Sequence, residues 1–197
     1  IAIFDGSLAG GGTAGGGGVT ATLSEIYRPI RSQLQASEQL LLKELGAGSR
    51  VRDGLMGELT RHVARMPGKR IRPALALLSA ALAHEDVQRG QALSYRNGSR
   101  ACTKVPDPFR RAVKLAASVE MIHTATLLHD DVIDGASLRR GISTLNAKWG
   151  DTLSVLSGDF LYSKAFCLLS ELDHPAVLRL MSGPARTVCE GEVAKIQ

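Results

Sequence analysis

The stretch from Phe109 to about Asp134 constrains this chain most. It contains no Gly or Pro, and it is apolar nearly all round. A helix of that kind belongs in the middle of a bundle, with neighbours on every side. It should carry no polar group without a partner. Yet its second half reads Met121-Ile122-His123-Thr124-Ala125-Thr126-Leu127-Leu128-His129-Asp130-Asp131-Val132-Ile133-Asp134. Asp130 and Asp134 are four apart and share one face, and His123 lies two turns earlier on that face. Carboxylates that close repel each other unless a cation sits between them. Magnesium takes hard oxygen ligands, typically one or two carboxylates plus substrate phosphates. The DDxxD face therefore reads as a Mg²⁺–diphosphate clamp, with Asp130 and Asp134 as ligands and Asp131 a weaker candidate. A solvated acidic cluster is the bland alternative, and it would oppose the helix dipole at a C-terminus.

Helical signals dominate the rest. Leu23, Ile26, Ile30 and Leu34 recur at helical spacing, and Leu40, Leu41, Leu42 and Leu45 continue the pattern to Gly46. Residues 51–66 form a second helix ending near Pro67-Gly68. Residues 73–83 form a third, with Pro73 in a first-turn position. Two more helices follow near 152–172 and 175–197. No alternating strand pattern occurs, so the fold class is all-α. Residues 1–19 hold eight glycines; no strand precedes them and no GK[ST] follows, so they read as a disordered linker. Residues 84–108 are polar, with Asn97-Gly98, Pro106 and Pro108, and read as a loop insertion.

The net charge of +5 suits an anionic partner. Aromatics make up 4% of the chain, too few for the stacking platforms of a nucleic-acid binder. Cys102, Cys167 and Cys189 have no CxxC spacing, which argues against zinc and for a reducing, cytoplasmic compartment. No apolar run is long enough to span a membrane, and the start does not read as a signal peptide. Two cationic segments remain. Gly68-Lys69-Arg70-Ile71-Arg72-Pro73 places cations at a helix N-terminus, where an anion should compensate them. Arg139-Arg140-Gly141, just past the DDxxD, offers bidentate contacts to phosphate oxygens.

Together these segments resemble the trans-isoprenyl diphosphate (polyprenyl) synthases. The resemblance rests on GKRIRP at 68–73, IHTATLLHDDVID at 122–134 and RRG at 139–141. It continues through WG at 149–150, LSGDFLYSKAF at 156–166 and CEGEVAKIQ at 189–197. It implies a helical bundle of the isoprenoid-synthase type around a central cavity, assembled as a homodimer or heteromer. It implies that Lys69, Arg72, His123 and Arg140 hold isopentenyl diphosphate. Asp130 and Asp134 would bind Mg²⁺ on an allylic diphosphate, which Arg139 also contacts. Ala125 and Thr126 would face the growing tail, and their small size suggests a medium- or long-chain product.

The family's second aspartate-rich motif is absent. The chain also starts without Met and stops mid-helix, so residues 20–197 read as the N-terminal part of one synthase domain, with the C-terminal helices missing. Weak diphosphate binding and little activity alone are expected. Two rivals stand beside this reading. One is a non-catalytic partner subunit of a synthase. The other is an HD-type metal phosphohydrolase built on His129-Asp130 with His62 and His123. Outside these motifs, His129 and Asp159 read as satisfied core residues, while Glu190 and Glu192 face either the cavity or solvent.

Overall fold

The computed structural model describes residues 22–46, 54–66, 68–96 and 108–196; the Gly-rich segment and Cys102 lie outside them. The elements run α1 (Leu23–Tyr27), a 3₁₀ turn (Arg28–Ile30), α2 (Arg31–Gly46), α3 (Leu55–Ala64), α4 (Ile71–Arg96), α5 (Pro108–Ile133), β1 (Leu138–Arg139), β2 (Ile142–Ser143), α6 (Leu145–Trp149), α7 (Asp151–Ser170) and α8 (Pro175–Ile196).

The central helix is where the apolar pattern put it. α5 packs against α7, α4 and α2. Ala112, Ala116, Ala117, Met121, Ala125 and Leu128 are all buried. Its first half closes a cluster with Tyr27, Ile30 and Leu34 and with Ala74 and Leu77 of α4. Its second half closes another with Leu59 and Val63 of α3, Leu145 of α6, and Leu161, Ala165 and Leu168 of α7. Burial of Leu or Met side chains at such positions is worth roughly 1.5–3 kcal/mol each. α5 and α7 approach closely at Gly158, where an added Cβ would collide with the His129 ring. The Ser154 hydroxyl donates to the Leu128 carbonyl at 3.1 Å across the same seam.

Four expectations need correction. The first helix is broken: Thr22 caps α1 with Glu25 in a capping box, and Pro29 falls in a 3₁₀ turn before α2 begins. The loop expected from residue 84 begins later, because α4 continues to Arg96; residues 97–107 lie outside the described set. The polar residues there include good helix formers such as Gln and Arg, so polarity alone misread them. The all-helical expectation, right as to fold class, missed a two-stranded antiparallel hairpin pairing Leu138 with Ser143 and Arg139 with Ile142. It also missed the five-residue α6, capped by the Thr144 side chain on the Ala147 N–H. No helix among the described residues is long and apolar enough to cross a membrane.

Candidate active site

Residues 69–72, where the α3–α4 loop enters α4, hold three cations, and the fold treats them differently. Lys69 is exposed, and its carbonyl accepts from the Tyr27 hydroxyl at 2.9 Å. Arg72, in the first turn of α4, is exposed and its Nη1 donates to His123 Nε2 at 3.0 Å. Arg70 turns inward. Its Nε donates to Glu38 of α2 at 3.1 Å and its Nη1 to Glu120 of α5 at 2.8 Å.

The Arg139-Arg140-Gly141 segment is the hairpin turn. Arg140 and Gly141 both have positive φ, 52° and 79°. That pair of signs is the signature of a type I′ turn, whose twist matches that of the flanking strands. The hairpin is tied to the end of α5. Thr144 Oγ1 and Asn146 Nδ2 both donate to the Ala136 carbonyl, at 2.7 and 3.1 Å. Asn146 Nδ2 also donates to the Asp131 carbonyl at 3.1 Å. Arg140 thereby reaches back over the α3–α4 loop, so that a Cβ on Gly68 would stand 3.5 Å from its Nη1. Gly68, Arg70, Glu120, His123, Arg139 and Arg140 line one pocket.

Cations crowd His123. Burial and then the Arg72 guanidinium hold its pKa below the usual imidazole value, with smaller contributions from Arg140 and Arg139. Because Arg72 is the donor, Nε2 is unprotonated. A neutral His123 stands beside three guanidinium groups, opposed in part by Glu120, and the positive charge that remains is one an anion would balance.

The three carboxylates at the end of α5 part company. Asp131 has no exposed surface, and its Oδ1 accepts from Arg139 Nε at 2.7 Å. It is therefore not open to a metal on the site face, which corrects the weaker ligand candidacy; it holds Arg139 instead. Asp130 is half-buried and Asp134 exposed, and the Asp134 N–H donates to the Asp130 carbonyl at 2.8 Å, carrying the helix geometry one residue further. Burial raises the pKa of Asp130 above the usual carboxylate value. The charges of Glu192 and Asp134 raise it further, against a lowering by Arg139. Glu192 of α8 is thus within electrostatic reach of Asp130, with Lys195 bonded to it at 2.5 Å. Glu190 pairs instead with Arg186 on an exposed surface. Hard oxygen donors, mutually repelling, fit a divalent cation such as Mg²⁺. Among the described residues no group of three or more His, Cys, Asp or Glu forms a preassembled metal site.

Of the two tail-facing candidates, Ala125 lies wholly inside the α5–α7 core, so packing accounts for its size. Thr126 is half-buried, one turn before Asp130 on the His123 side, and its hydroxyl donates to the His123 carbonyl at 2.7 Å. Two core assignments also change. Asp159 is exposed, and His129 meets it at 3.4 Å beside the Val155 carbonyl. His62 bonds the Ser143 carbonyl at 2.7 Å. The three histidines of the phosphohydrolase reading thus face three different neighbours.

A helical bundle with acidic and cationic groups brought to one end of its central helix is the first part of an isoprenoid-synthase fold. Residues 53–197 match the family profile described as polyprenyl synthetase, and the chain belongs to that family. It is 37% identical over 173 residues to the all-trans-nonaprenyl-diphosphate synthase (geranyl-diphosphate specific) of Rhodobacter capsulatus, covering 88% of this chain and 46% of the relative. It is 38% identical over 142 residues to the octaprenyl diphosphate synthase of Escherichia coli, covering 72% and 37%. A solved polyprenyl synthase of Caulobacter crescentus, complexed with calcium and isoprenyl diphosphate, superposes with TM-score 0.70 at 33% identity, covering 89% of this chain and 46% of that one. The chain therefore spans less than half the length of these relatives.

Proposed function

We propose that this chain supplies the isopentenyl-diphosphate site and the first metal-binding carboxylates of a trans-polyprenyl diphosphate synthase. One observation carries the reading: Gly68 of the cationic loop, His123 of α5 and Arg140 of the hairpin line one pocket, and Arg72, three residues from the exposed Lys69, bonds His123 at 3.0 Å, two helical turns from Asp130. Lys69, Arg72 and Arg140 bind the diphosphate of isopentenyl diphosphate, and His123 lies among them. Asp130 and Asp134 would hold Mg²⁺, with Glu192 close by. Bound there, Mg²⁺ supplies charge neutralisation for a leaving diphosphate. Arg139, fixed by Asp131, stabilises the charge that develops on the allylic diphosphate as its C–O bond breaks. The isopentenyl double bond attacks the allylic carbon, and a proton leaves to the departing diphosphate. Thr126 leaves room beside the tail, which favours a medium- or long-chain product.

The chain acts as part of a longer protein, in a homodimer or heteromer, in the cytoplasm. With one carboxylate pair it binds the allylic diphosphate weakly and transfers prenyl groups poorly. The test compares this chain with the full-length protein that contains it, each given Mg²⁺, labelled isopentenyl diphosphate and farnesyl diphosphate. The full-length protein should make longer prenyl diphosphates, and Asp130→Ala should abolish them. A full-length protein that makes none, yet releases phosphate from nucleotides with Mn²⁺, moves the phosphohydrolase reading ahead.

A further inference from the structure

Arg70 is the residue of the cationic loop that the proposed chemistry leaves unused. Its side chain is 13% exposed and bridges two carboxylates, Glu38 at 18% and Glu120 at 9%. The triad ties the loop to α2 and α5 at once. Arg70 also holds a left-handed backbone, φ 51°. A non-glycine residue in that region is strained and persists where its surroundings over-determine it. Arg140 is in the same region, and the two guanidinium groups converge on one point: a Cβ on Gly68 would stand 3.0 Å from Arg70 Nη1 and 3.5 Å from Arg140 Nη1. Both strained arginines therefore pack across the same glycine, at the wall of the pocket that His123 also lines.

We propose that the Glu38–Arg70–Glu120 triad is a positioning unit for the isopentenyl-diphosphate site, and that Arg70 is not itself a phosphate ligand. The inference rests on the site reading above. With Arg70 saturated by two carboxylates, its role is to fix the loop so that Lys69 and Arg72 project outward on either side of it. Glu120 lies one turn before His123 on α5, so the same contact sets the loop's register against the imidazole that Arg72 bonds.

Sign separates this from a direct phosphate contact. Glu120 places negative charge at an anion pocket. If Arg70 were a ligand held back by Glu120, Glu120→Gln would free it and strengthen anion binding. If the triad positions the loop, the same isosteric change weakens binding. The experiment is calorimetric titration of the full-length protein that contains this chain with isopentenyl diphosphate in the absence of metal, and separately with Mn²⁺ alone. Glu120→Gln and Arg70→Lys should each weaken isopentenyl diphosphate by about tenfold, the scale of a charge-assisted hydrogen bond, and leave Mn²⁺ affinity within about twofold. Lysine keeps the charge but cannot span both carboxylates. Tighter or unchanged binding in Glu120→Gln overturns the proposal. So does a parallel fall in Mn²⁺ affinity, which would mean general loosening of the fold. Lys69→Gln is the control for the underlying reading: if it leaves isopentenyl diphosphate affinity unchanged, or if the unaltered full-length protein binds none, the site assignment fails first and the triad's role with it.

Discussion

The two ends of the site are built on opposite principles. The basic end is assembled from three segments, α3–α4, α5 and the hairpin, and much of it is already paired: Arg72 with His123, Arg70 with two glutamates, Arg139 with Asp131. The acidic end comes mostly from one helix, and the pKa of Asp130 is raised there, first by burial and then by the charges of Glu192 and Asp134. The basic end is thus preorganised for the proposed anion. The acidic end holds charges that the proposed cation would relieve. Preorganisation spends stability on position, whereas tension stores it in charge.

The comparison fails if the two ends cannot be separated experimentally. The largest effect expected is on both together. Leu128→Ala removes a buried side chain from α5, costing roughly 2–5 kcal/mol in urea unfolding, and should weaken isopentenyl diphosphate and Mn²⁺ alike. Loss of one without the other would show that α5 is not their common support.

Next, Asp130→Asn should reduce Mn²⁺ affinity by no less than the roughly 10–100-fold that loss of an outer metal partner costs, with isopentenyl diphosphate affinity unchanged. The same variant should melt higher than the unaltered chain in chelator. Its raised pKa means that the stability Asp130 contributes is present below the unfolded value and is lost as pH rises through the folded one. At neutral pH the carboxylate therefore opposes folding. A lower melting temperature in chelator would remove the tension from the acidic end.

Lys69→Gln is the mirror experiment. Isopentenyl diphosphate should bind about tenfold more weakly, with Mn²⁺ unaffected and little change in melting temperature, since Lys69 is exposed.

The smallest effect concerns pH. The folded pKa of His123 is lowered, so its contribution to stability is complete above the unfolded value near 6.5 and declines as pH falls through the folded one. His123→Gln should flatten the loss of urea stability between about pH 7.5 and 5.5. An unchanged slope would mean that neither burial nor the nearby guanidinium groups hold the imidazole neutral.

Much of this was legible in the sequence, for reasons that also explain the failures. α5, α7 and α8 declared themselves because long helices repeat their apolar spacing many times. The hairpin could not, since two-residue strands are too short to alternate. Its one trace was Arg140-Gly141, an X-Gly pair suited to a tight turn. The DDxxD spacing placed Asp130 and Asp134 on a common face without any tertiary knowledge. It could not separate Asp131, whose burial depends on Arg139 arriving from the hairpin. In the same way the three cations of residues 69–72 look alike in sequence. Only the glutamates at 38 and 120, about 30 and 50 residues away, distinguish Arg70 from its neighbours.

α5 also acts as a gauge. His123 and Asp130 are seven residues apart on one rigid helix, which sets their Cα atoms roughly 10 Å apart along its axis. That interval lies between the proposed grip on one substrate and the proposed clamp on the other. Backbone hydrogen bonds set it, so side-chain substitution would change what each end binds and leave the spacing alone. Only the insertion or loss of a residue between them could alter it. Such a change would also swing the carboxylates about 100° around the helix, away from the face they share with His123. The reach between the two reacting partners is thus quantised by the backbone.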